Sequence, residues 1–169
     1  MQEYGRILLP VPNKLAVIIL NWRIINMDFK DQPFIPMLFG GDINTYSVAR
    51  AFYEEYQVKT YVFGKFPSGP SYNSNIIEYH ADLKIDTDDV FMKTVRDFAA
   101  AHADKTVLTI GCGDSYVALC SRHKDEMPEN VVAPYIDFEL MDRLQQKELF
   151  YRLCREHDID FPDTLVFRY

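Results

Sequence analysis

Two glycine-rich turns hold the residues of this chain best placed to do chemistry. One is Gly40-Gly41-Asp42, after the apolar run Phe34-Ile-Pro-Met-Leu-Phe39. The other is Gly111-Cys112-Gly113-Asp114-Ser115, after Lys105-Thr-Val-Leu-Thr-Ile110. Glycine tolerates positive φ and lets a ligand approach the backbone closely. A helix that starts directly after such a turn presents unpaired N–H groups and the positive end of its dipole, which suits a carboxylate or a phosphate. Asn44 and Thr45, just after Asp42, add side-chain donors. Tight strand-to-helix turns are also glycine-rich for packing alone, so a structural role stands beside the binding role. Cys112 has two readings as well: a thiolate with its pKa lowered at a helix N-terminus, or a small buried side chain.

The elements that must position these turns alternate from Pro33 onward. Ile43, Tyr46, Ala49, Phe52 and Tyr56 recur at helical spacing and predict an amphipathic helix over 43–56, with Asp42 as its N-cap. Val58–Gly64 is rich in β-branched and aromatic residues and reads as a second strand. Lys65 to Ser74 reads as a loop by its turn residues. A third strand lies at Ile76–Tyr79 or at Leu83–Ile85. Asp86-Thr-Asp-Asp89 opens a helix to about Ala103, Lys105–Ile110 is the clearest strand, and a helix follows from Ser115 to His123. Val131–Ala133 closes the strands, and one long helix is expected from Phe138 to His157. This alternation predicts an α/β fold: a Rossmann-like, mostly parallel sheet with helices on both faces and right-handed crossovers. Ligands in such sheets sit at the carboxyl ends of the strands, where both glycine turns fall.

Composition bounds the rest. With 169 residues, 48% of them hydrophobic, the chain can bury one substantial core. A net charge of −7 argues against non-specific nucleic-acid binding. The apolar run Leu15–Leu20 is far short of the ~20 residues that span a bilayer. Cys112, Cys120 and Cys154 form no C-x-x-C pair, a pattern that suits a reducing cytoplasm. His80, His102, His123 and His157 lack ligand spacing. Residues 1–32 differ from the remainder and read either as an N-terminal extension or as an extra edge strand at Leu15–Ile19.

Val107 to Gly113 is similar to the glycine-rich loop of S-adenosylmethionine-dependent methyltransferases. However, Ser115 replaces the third glycine, and two strand–helix units precede a loop that normally follows the first strand. A wider resemblance spans Phe34 to Thr164. The stretches PFIPMLFGGDINTYSVARAF (33–52), FGKFPSGPSYNS (63–74), VLTIGCGDSYVALCSRH (107–123) and MDRLQQKELFYRLCREHDIDFPDT (141–164) occur in an order and spacing that resemble the N-terminal domain of ATP-grasp carboxylate–amine ligases, the D-aspartate ligase-like group among them.

The resemblance implies a pre-ATP-grasp domain over 33–136. Residues 137–169 would be a connecting helix and the start of an ATP-grasp body that this chain lacks. It also implies a small carboxylate substrate, with ATP and Mg2+ as cofactors of the complete enzyme. Gly40, Gly41, Asp42, Asn44 and Gly111 to Ser115 would face the substrate cleft. Lys147 matches a lysine at the start of the connecting helix, where it would help bind ATP; otherwise it is an exposed surface residue. No catalytic residue and no metal ligand is assigned. The expectation is a chain inactive by itself whose partner is the missing ATP-grasp domain, with homo-oligomerisation left open. A non-catalytic module that binds a small anion or another chain is the competing reading.

Overall fold

The computed structural model describes residues 27–165 and 167. The expectations for the N-terminal extension and for an edge strand at Leu15–Ile19 fall on residues outside these. The remaining part of that stretch, 27–32, is tied to the body: Lys30 N–H donates to the Gln57 carbonyl at 2.8 Å, and Gln32 Nε2 to the Tyr56 carbonyl at 3.2 Å.

The order of elements is β1 (Phe34–Phe39), α1 (Ile43–Tyr56), β2 (Thr60–Gly64), α2 (Gly69–Tyr72), β3 (Ile77–Ala81), α3 (Asp88–Ala101), β4 (Thr106–Gly111), α4 (Asp114–His123), β5 (Val131–Val132), α5 (Phe138–Gln145) and α6 (Lys147–Glu156). All strand pairs are parallel, in the order β3-β2-β1-β4-β5. The chain winds outward from β1 to β3, crosses back through α3, and winds the other way through β4 and β5. Parallel strands require such crossovers, and their right-handedness puts the helices of the two halves on opposite faces.

The side chains follow that division. Ile35, Met37 and Phe39 of β1 join Phe91, Val95 and Phe98 of α3 and Leu119 of α4 in the larger core. Leu38 turns to the other face, with Val62, Ile77 and Ala49 of α1. Pro36 lies fully buried inside β1, although proline has no N–H for a ladder. The ladder to β2 begins at Met37, one residue after it.

Three local features differ from the sequence expectation. The third strand is Ile77–Ala81, so Leu83–Ile85 is not a strand. The loop after β2 contains the short helix α2, opened by Gly69 at φ +73° with Pro70 in its first turn. The long helix over 138–157 is broken: Gln146 is extended at φ −82°, ψ 111°, and separates α5 from α6. The break satisfies two sets of partners. Gln145 Nε2 donates to the Asp114 carbonyl at 2.9 Å, and Arg122 lies 4.6 Å over the Phe138 ring, which fastens α5 to α4. The chain then turns so that α6 packs along α5, with Arg143 at 3.9 Å from Glu156. A straight helix would carry the second half away from these contacts. Among the described residues no helix is long and apolar enough to cross a membrane.

Two of the tethers can be measured. A Cβ at Gly111 would lie 2.6 Å from the Tyr116 carbonyl carbon and from the Val117 nitrogen, backbone atoms of α4. Gly111→Ala therefore pushes the helix off the sheet, and urea denaturation should show a loss of about 1–3 kcal/mol. Asp88 accepts from Arg122 Nη1 at 2.7 Å and lies 2.6 Å from His123 Nε2, contacts that hold its carboxyl below the ordinary carboxylate range. The stability it contributes is present above the unfolded carboxylate pKa and is lost as pH falls through the folded value. Asp88→Asn should consequently flatten the stability profile between about pH 5 and pH 3. The difference is below about 1 kcal/mol, because the group is half exposed.

Candidate functional site

The site begins where β1 and β4 end side by side, at the point where the winding reverses. Ligands of doubly wound sheets bind in the crevice outside this switch point. Two backbone bonds hold the turns in register: Gly40 N–H donates to the Phe63 carbonyl at 2.9 Å, and Cys112 N–H to the Phe39 carbonyl at 2.8 Å. Gly40 has φ +147°, a conformation that residues with a side chain rarely adopt, and a Cβ there would lie 2.3 Å from Thr45 Oγ1.

A cavity of about 500 Å3 opens over these turns. Gly40, Gly41 and Asp42 form one wall, and Cys112, Gly113, Ser115 and Tyr116 a second. The loop after β2 (Lys65, Phe66, Ser68 and Gly69) and Tyr79 of β3 complete it. Six of the nine substrate-site residues named from sequence thus line one cavity.

The other three lie outside its lining. Asn44 uses both its backbone N–H and its side-chain amide on the Asp42 carboxylate, each at 3.1 Å. Gly111 sits beneath α4 and donates its N–H to the Tyr135 hydroxyl at 2.7 Å. Asp114 faces α5 through its carbonyl. Lys147, the residue proposed for ATP, is exposed at the first position of α6 and does not line the cavity either.

The two helix starts differ in what they offer. Asp42 caps α1: besides Asn44, it accepts from Thr45 N–H and Thr45 Oγ1, each at 3.1 Å. The free amides of that first turn are therefore already engaged by a carboxylate of the chain itself. Gly113 caps α4 with no side-chain bond, and Gly113, Ser115 and Tyr116 of that turn line the cavity.

The third wall was missed from sequence. Its signal was the turn chemistry of Lys65-Phe-Pro-Ser-Gly69, which also follows the carboxyl end of a strand. Tyr79 gave no signal at all, being one aromatic in an edge strand. Its hydroxyl donates to the Phe66 carbonyl at 2.8 Å and lies 3.4 Å from the Gly40 carbonyl. A Cβ at Gly41 or Gly64 would come within 2.6 or 2.1 Å of that oxygen. The hydroxyl therefore occupies a socket lined by glycines and clamps the loop after β2 to the Gly40 turn.

Burial keeps the cavity's titratable hydroxyl and thiol groups neutral. It raises the Tyr79 pKa and pushes Tyr116 up to about 12, with Asp86 adding to the latter. The Cys112 thiol is pushed up to about 11 by burial, with a bond from Thr45 working the other way and the Asp42 charge adding to the rise. Of the two readings of Cys112, its partial burial favours the small neutral side chain over the thiolate. The cavity's charged side chains are Asp42 and Lys65, and Lys65 Nζ donates to Asp86 Oδ2 at 2.7 Å. Among the described residues no group of three histidine, cysteine or carboxylate side chains is arranged to hold a metal ion.

Comparison with known proteins adds one relationship. Over 142 residues the chain is 37% identical to the D-aspartate ligase of Enterococcus faecium (strain Aus0004), a match that covers 82% of this chain and 34% of that protein. The chain thus spans about one third of the length of the curated relative it matches. Identity at this level, over so much of the chain, relates it to a ligase. No protein-family profile matches, and no solved structure matches.

The neutral thiol has a kinetic signature. With a pKa of about 11, Cys112 is roughly one part in a thousand thiolate at pH 8. Iodoacetamide should alkylate it on the order of a hundredfold more slowly than a free thiol, and the rate should rise about tenfold per pH unit to pH 10. Peptide mass spectrometry at timed intervals reads both quantities.

Proposed function

We propose that this chain is the substrate-side domain of an ATP-dependent carboxylate–amine ligase of the ATP-grasp type, and that its switch-point cavity receives the acid. The observation that carries the reading is the 37% identity to a D-aspartate ligase over 82% of the chain. The cavity supports it independently. It lies where α/β sheets bind ligands, has room for a small amino acid, and combines an uncapped helix start with a lysine. The name of the relative makes aspartate the first acid to try.

In this reading ATP and Mg2+ supply the activation of the carboxylate. Among the described residues no group of histidine, cysteine and carboxylate side chains is arranged to hold the metal, and Lys147 does not line the cavity. No step through nucleotide or metal is therefore assigned to this chain. Its contribution is to bind and orient the acid. Tyr79 holds the loop after β2 against the Gly40 turn, and the backbone of both glycine turns leaves space for a ligand to lie close. A domain that fixes the acid before it reacts lowers the entropic part of the barrier, even though the reacting groups are held elsewhere.

Calorimetry tests the binding role directly. D-Aspartate should bind this chain with a dissociation constant between about 10 μM and 10 mM. With ATP, Mg2+ and an amine added, a phosphate-release assay should stay at its blank. An absence of binding by small amino acids and dicarboxylates up to 10 mM removes the substrate-side role. Phosphate release above the blank overturns the assignment of ATP chemistry to other parts of the ligase.

A further inference from the structure

We infer that the apolar stretch Leu15 to Ile25 of this chain docks on the part of the sheet that the helices leave uncovered, away from the acid site. Parallel sheets occur almost only with both faces covered. Here α3 and α4 lie on one face, where Phe91, Val95, Phe98 and Leu119 complete the larger core. On the other face α1 packs on β1 and β2, and no described helix has its main contacts with β4 or β5 there. The register sets Leu108 beside Pro36, Ile110 beside Leu38 and Val132 beside Leu108, so all three turn to that face. Leu108 and Ile110 are only part-buried, and Val132 is 44% exposed.

The flank of α1 away from β3 continues this surface. A groove of about 470 Å3 runs along it, lined by Ser47, Val48, Ala51, Phe52, Glu55 and Tyr56. Phe34, at the start of β1, joins the helix flank to the sheet, its ring 5.1 Å from that of Tyr56 and 6.2 Å from that of Phe52. A continuous apolar surface of this kind marks a place where something packs.

The chain itself supplies the occupant. Leu15-Ala-Val-Ile-Ile-Leu-Asn-Trp-Arg-Ile-Ile25 has nine apolar residues in eleven. It is too short to span a bilayer, which takes about 20 residues, and leaves water by packing on protein. It leads into Met27, which is already seated on the same face, beside Tyr46 and Tyr53 and against the cluster of Leu38, Val62 and Ile77. Residues 21–26 reach at most about 20 Å, and α1 is about 10 Å across, so Leu15 to Leu20 can lie on the far flank while Met27 holds the near one. The charges agree as well: the single charged side chain lining the groove is Glu55, and that of the stretch is Arg23. A second copy would instead bring a net charge of −7 to a groove whose charged group is already acidic.

Photo-cross-linking of the full chain tests this. With p-benzoylphenylalanine placed at Ser47, on the rim of the groove, irradiation of an equal mixture of isotopically light and heavy chains should join that position to residues 15–25 of the same chain. The same probe at Lys93, exposed on α3 across the sheet, should give about a tenth of that yield or less. Ile18→Asp together with Ile19→Asp should lower the Ser47 yield about tenfold, because a charge replaces apolar side chains where they are buried. Unchanged far-UV circular dichroism confirms that this variant folds. Cross-links between light and heavy chains put a second copy on the groove and overturn the inference. So do equal yields from Ser47 and Lys93, a yield that the two aspartates leave unchanged, or no product between Ser47 and residues 15–25.

Discussion

The arrangement of this chain depends on one reversal. Winding outward from β1 on both sides leaves two strands, β1 and β4, whose following helices must go to opposite faces of the sheet. Their carboxyl ends can then not be roofed by either helix, so a crevice is unavoidable. The bond from Cys112 N–H to the Phe39 carbonyl closes its floor and joins segments more than seventy positions apart. The tolerances above that floor follow: glycine where the backbone turns sharply, and glycine again where α4 presses against β4.

Most of the fold was legible in the sequence because its signals are local. Helical spacing in α1 and α3, the apolar run of β1 and the β-branched run of β4 state the element and its buried face together. The break at Gln146 was not legible, because the amphipathic pattern on either side is equally helical. What decides it is tertiary: Gln145 and Phe138 are held by α4, while Arg143 and Glu156 draw α6 back along α5. The third strand was ambiguous for a related reason. Both candidate runs are short and apolar, and only pairing with β2 through Thr60 to Gly64 chooses between them.

The site was legible to the extent that it is made of backbone. Gly40, Gly41, Gly113 and their neighbours announce themselves by residue type, and the topological rule for parallel sheets places them on one rim. Side chains that arrive from a third direction carry no such mark. Lys65 sits in a stretch that reads as an ordinary loop, and Tyr79 in a strand whose aromatic residues suggest only packing. Asn44 shows the opposite error. A side-chain donor at a helix start looks available in sequence, whereas here its own N-cap takes both its bonds.

The hydroxyl of Tyr79 also ties together residues that look independent along the chain. It fills the space that side chains at Gly41 and Gly64 would need, and it reaches the carbonyls of Gly40 and Phe66. A side chain at Gly41 is tolerable in descent only alongside loss of that oxygen, whereas Gly64 stays constrained without it, because a Cβ there would also lie 2.2 Å from the Gly40 carbonyl oxygen. Positions 41 and 79 therefore form a single heritable unit that joins a turn to an edge strand, and a side chain at position 41 in a related protein signals that the clamp has been rebuilt.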